Sequence, residues 1–196
     1  MDVPARVFEI TTDLLNARFQ TLAIDGDDEF CWPLFDLAEE ANPLGSRWIA
    51  PPVYIGEPTR ARPDFLHLWG VPWPVVGPTV PEHLRHELLI SGEYLPVVLE
   101  GATIDLLHPT TVLNVVDERS SHWTGARFDA LEFDVHRFIE VTVFRVPQNN
   151  ASGLYCTQGL GEFDFKSRVE SADLTGLSFD EVWNSELGAI RRQPRG

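Results

Sequence analysis

The alternation in Leu131-Glu132-Phe133-Asp134-Val135-His136, continued by Ile139, Val141 and Val143, sets the fold class of this chain. Apolar and polar residues exchange places at every step there, which is the period of a strand with one face on a core and one in water. The same reading extends over residues 94–99, 103–107 and 111–116, so the stretch from Glu93 to Val146 reads as half-buried antiparallel strands, with 131–135 and 139–144 in the central sheet and Phe133, Val135, Val141 and Val143 buried.

Before these strands the pattern is helical. Thr79 and Glu82 have the spacing of a capping box, Pro81 suits a first turn, and Ser91-Gly92 suits a stop. Val80, Leu84 and Leu88 then recur at four-residue spacing and face the core. After the Pro147-Gln148-Asn149-Asn150 turn, residues 154–157 read as a short strand. Phe165, Val169 and Ala172 mark a second helix, and a last extended piece runs from Gly176 to about Trp183. The expected fold is a single α+β domain over 1–196, with a mainly antiparallel sheet and a few short helices. Residues 1–55 read as an acidic, turn-rich N-terminal part, and the prolines between 50 and 79 discourage long elements there.

With 30 Asp plus Glu against 15 Lys plus Arg, the chain carries a formal net charge of −15. Such a field repels nucleic acid and anionic membranes and steers basic partners inward, although acidity also serves solubility alone. Cys31 and Cys156 are too far apart for a thiol pair or zinc knuckle motif, and the N-terminus lacks a basic segment followed by an apolar one. A reducing cytoplasm is the expected location.

Tests for chemistry return little. His83 and His86 are three residues apart on the expected helix, but two ligands without a third make no metal site. Asp117-Glu118-Arg119-Ser120-Ser121-His122 gathers a carboxylate, hydroxyls and an imidazole, which suits a hydrogen-bonded turn better than a triad. The carboxylates Glu132, Asp134, Glu140, Glu162, Asp164, Glu170 and Asp173 read as surface charge. Phosphate-loop, dinucleotide and nucleophile-elbow motifs are missing from the sequence, so no catalytic residue, cofactor or metal is assigned.

Two segments are candidate protein-binding sites. Asp25, Asp27, Asp28 and Glu29 beside Trp32 join steering charge to an aromatic anchor. Trp69 and Trp73, in Trp69-Gly70-Val71-Pro72-Trp73-Pro74, form either a rigid binding loop or a cap on the core.

The order of Arg62-Pro63-Asp64-Phe65, Val75-Val76, Glu93-Tyr94-Leu95-Pro96-Val97, residues 111–117 with Ser120-Ser121, Val143-Phe144-Arg145-Val146, Gly176-Leu177-Ser178-Phe179 and Val182-Trp183 resembles the family-eleven immunity proteins of bacterial polymorphic toxin systems, earlier known as domain of unknown function 1629. The resemblance covers residues 60–184. It implies an intracellular protein without catalytic residues that binds and neutralises a cognate toxin domain, whose basic surface an acidic protein would mask. An uncharacterised carboxylate/histidine hydrolase and a regulatory interaction module are the alternatives.

Overall fold

The computed structural model describes residues 5–12, 18–25, 41–124, 127–148, 153–160 and 164–190. In chain order the strands are β1 (Arg6–Thr12), β2 (Thr21–Ile24), β3 (Pro52–Ile55), β4 (Phe65–Leu68), β5 (Pro74–Val76), β6 (Gly92–Leu99), β7 (Ala102–Pro109), β8 (His122–Thr124), β9 (Arg127–Ala130), β10 (Leu154–Gln158), β11 (Leu177–Asn184) and β12 (Gly188–Ala189). The helices are α1 (Glu82–Ile90) and α2 (Phe165–Ser171). The class is α+β with mostly antiparallel pairing, and no helix among the described residues is long and apolar enough to cross a membrane.

Six strands close into a barrel in the order β2-β3-β6-β7-β5-β4, which leaves none of them with a free edge. Its pairs are antiparallel except β2 with β4 and β3 with β6. The register lines Leu95, Leu106, Val75 and Leu66 across four strands, with Leu22 beside Leu68, and all six are buried. Burying such a side chain contributes about 1.5–3 kcal/mol. Gly92 is required where β6 leaves the helix, since a Cβ there would lie 2.2 Å from the carbonyl oxygen of His108.

The helix before β6 forms as its spacing predicts, with Val80, Leu84 and Leu88 buried. Its start differs from the expected capping box. Pro81 occupies the cap, and the Thr79 hydroxyl donates instead to Asp64 Oδ1. Ala172 lies exposed beyond the end of α2, while Phe165 and Val169 are buried.

A four-stranded antiparallel sheet, β10-β1-β11-β12, forms the middle layer. Phe8 and Ile10 on β1, with Leu154 and Cys156 on β10, face the barrel and α2. Val7, Tyr155, Val182 and Trp183 face a second apolar cluster on the other side. The residues read as turn-rich in the N-terminal part therefore include three strands, one of them at the centre of a sheet. A strand covered on both faces loses the alternation that announces a half-buried one.

The second cluster rests on the stretch 111–146, and here the expected strands are not found. Val112, Val116, Phe133, Phe144 and Arg145 make isolated bridges only. Asp134 Oδ1 accepts from the His136 N–H and caps a 3-10 turn over Val135–Arg137, so the strand expected at 131–135 ends as it begins. Phe133, Val141 and Val143 are buried as expected, but Val135 is only partly so and Ile139 is 60% exposed. The apolar alternation is real, yet these residues cover the sheet as an irregular layer instead of joining it.

Candidate functional site

Two rules of strand geometry place a compact group of side chains on the outside of the barrel. Side chains alternate across a strand, and paired residues share a face. Thr21 pairs with His67 and Ala23 with Tyr54, while Leu22 and Leu68 point inward. Thr21, Ala23, Tyr54 and His67 therefore lie on one outer face. Trp69 extends the β4 ladder by donating its N–H to the Leu22 carbonyl, and its ring returns over the same face.

The contacts within this face fix its shape. The indole Nε1–H of Trp69 donates to Thr21 Oγ1 at 3.3 Å, and its ring meets His67 edge to face with centroids 5.7 Å apart. The Thr21 hydroxyl donates to Glu57 Oε2 at 2.8 Å, and Glu57 also lies 3.4 Å from Arg60. Thr12 Oγ1 and His67 Nδ1 are 2.6 Å apart. Burial pushes the His67 pKa below its ordinary value, which favours the neutral ring. Trp69 is 54% exposed and Tyr54 49%, with the small Ala23 between them.

The residues singled out from the sequence divide here. Asp25 is exposed at the end of β2, its N–H donating to the Pro52 carbonyl, and it adjoins the outer face. Asp27, Asp28, Glu29 and Trp32 lie outside the described residues. Trp73 is 0% exposed and is a core residue, which corrects its place in a contact surface. The Arg145 guanidinium stands 4.8 Å over its ring and His108 packs 5.2 Å away, both fully buried. Among the described residues the Trp73 Nε1–H has no hydrogen-bond partner, and packing and the cation hold the indole.

The other constellations are structural. His83 and His86 are exposed on α1, His86 lying 3.7 Å from Glu82, and no three His, Cys, Asp or Glu groups cluster as metal ligands among the described residues. Asp117 accepts from the Ser120 hydroxyl at 2.8 Å and the Arg119 N–H at 3.1 Å, and these bonds, the first above all, hold its carboxyl below the usual range. Glu132 accepts from Trp183 Nε1–H and the Ala189 N–H, and Asp164 caps α2. Glu93 bonds the buried His108 at 2.8 Å and accepts from the N–H groups of Leu44 and Gly45. Burial alone would raise its pKa, but these bonds outweigh it and leave the carboxyl below its ordinary value.

Thr12, Thr21, Tyr54, Glu57 and His67 were not found by sequence reasoning. Their signal is local and faint: single polar or aromatic residues next to aliphatic ones in Thr21-Leu22, Val53-Tyr54-Ile55 and His67-Leu68-Trp69. No protein-family model matches the chain, and no curated protein matches it in sequence.

Proposed function

We propose that this chain is a non-catalytic, cytoplasmic binding protein of the immunity type, and that it masks a basic surface of a cognate toxin domain with the outer face of β2, β3 and β4. The observation that carries the reading is the pair of half-exposed aromatic rings, Tyr54 on β3 and Trp69 in the turn leaving β4, where its N–H is bonded to β2, with Asp25 at their margin. Large aromatic side chains held on rigid elements are the usual energetic centres of protein interfaces, because they bury much area with little loss of rotamer freedom. The net charge of −15 raises the encounter rate with a basic partner. Cys156 is buried and its thiol is pushed up by burial, which suits a structural cysteine.

The test is protection. A toxin domain encoded beside this gene is expressed in cells with and without the chain; rescue of growth together with a stable one-to-one complex supports the reading, and toxicity unchanged by the chain refutes it. The Thr12–His67 contact favours a second reading, a hydrolase in which the imidazole takes the proton of a hydroxyl nucleophile. Turnover of ester or amide substrates that disappears in His67→Ala would select it.

A further inference from the structure

We propose, resting on that reading, that the gap between Tyr54 and Trp69 is a slot for one arginine side chain of the partner. Tyr54 stands on β3 and Trp69 follows β4 with its N–H bonded to the Leu22 carbonyl, so their backbones lie either side of β2, two ladder steps of about 4.8 Å or roughly 10 Å apart. Between them lies Ala23, whose single methyl leaves the floor open. A planar group stacked between two rings needs about 7–8 Å from ring to ring, two contacts of roughly 3.5–4.0 Å each.

The walls are held ready. Trp69 is fixed by its bond to Thr21 and its edge contact with His67, so the ring does not have to be ordered on binding. Charge selects the occupant. The chain carries −15, and Asp25 lies exposed beside Pro52, two positions from Tyr54. Glu57, at the other end, already has Arg60 at 3.4 Å and a bond from Thr21, so Asp25 supplies the rim carboxylate for an incoming cation. Arginine fits this slot better than lysine. Its guanidinium is flat, weakly hydrated and stacks on aromatic faces, whereas an ammonium is a compact and strongly hydrated point charge.

The probe is N-acetyl-arginine methylamide, titrated into the 15N-labelled full chain at fixed ionic strength. The signal is the indole N–H of Trp69, identified by its loss in Trp69→Phe. The expected result is a saturable shift, at least fivefold weaker with the lysine counterpart and at least fivefold weaker in Ala23→Leu, which fills the floor while keeping both rings. Thermal unfolding checks that Ala23→Leu folds; should it not, Tyr54→Ala gives the same readout. No movement of the Trp69 signal overturns the proposal, as does an equal response to lysine or to methyl β-glucoside, the last marking a sugar-binding face. Growth protection separates this failure from that of the wider reading: Ala23→Leu that still protects, with Trp69→Ala that does not, leaves the face as a binding surface without an arginine slot. Loss of protection in neither variant removes the face itself.

Discussion

The two sides of the central sheet are packed by opposite means. Toward the barrel, side chains meet through strand ladders, and one register, Leu95-Leu106-Val75-Leu66, accounts for a row of the core. Toward the other side, the run 141–146, from which Val143 turns back into the barrel cluster, is buried throughout with scarcely any ladder. Its backbone is satisfied piecemeal: Val143 N–H donates to the Ser91 hydroxyl, Phe144 exchanges bonds with Tyr155, and Arg145 donates to Thr111 and accepts from Leu113. Ser91 itself accepts from Thr110 and Thr111, and the Thr142 hydroxyl donates to the Glu87 carbonyl. A buried chain must settle every polar group, and regular pairing is only the simplest way to do so. The irregular layer does it residue by residue, which makes it as intolerant of change as the barrel although it lacks the barrel's form.

Val146→Asp, within the second cluster, probes the irregular layer most severely. It places a carboxylate at a fully buried position, at an expected cost above about 4 kcal/mol, and the variant should fail to fold, as followed by circular dichroism and solubility. A variant with unchanged thermal stability would show the irregular layer to be a loose cover.

The two tryptophans differ in the same way, one buried and one half-exposed. Trp73→Ala empties a core position under Arg145 and His108 and should cost about 3–5 kcal/mol in urea unfolding. Trp69→Ala, on the open face, should cost below about 1 kcal/mol. Equal costs would mean that the barrel surface and its interior are not distinguished as described.

A smaller effect concerns how 41–50 is tied to the barrel. Glu93 is held below its ordinary pKa of 4.5 by bonds from His108 and two backbone N–H groups. A carboxylate depressed in the folded state gives stability that is present above the unfolded value and is lost as pH falls through the folded one. Unfolding followed below pH 4.5 should thus show an acid-sensitive limb of about 1 kcal/mol that shrinks in Glu93→Gln. A limb of the same size in the variant would place the acid sensitivity elsewhere.

What the sequence disclosed follows the same divide. Strand β6, the first half of β7 and both helices announce themselves by period, because each has one face in a core and one nearer water, whereas β10 is covered on both faces. The alternation at 131–136 misleads for a stated reason: Glu132 and Asp134 are not turned to water as idle strand residues but accept hydrogen bonds that fasten β11, β12 and a tight turn. The closing of the barrel depends on β2 and β3, four residues each, too short for any period to be counted. The candidate face was legible only at Asp25 and Trp69. Its other members come together across 55 residues for Thr12 and His67 and 36 for Thr21 and Glu57, pairings that a strand register reveals and a sequence does not.

If the outer face of β2, β3 and β4 is the proposed contact surface, the double variant Tyr54→Ala, Trp69→Ala is the decisive probe, measured against the toxin domain that the parent is proposed to neutralise. Two aromatic anchors at an interface centre are worth about 2 kcal/mol or more each, so the dissociation constant should rise at least about a hundredfold and protection should be lost, while the midpoint of unfolding stays within a few degrees of the parent. Unchanged affinity in a folded double variant would contradict the account.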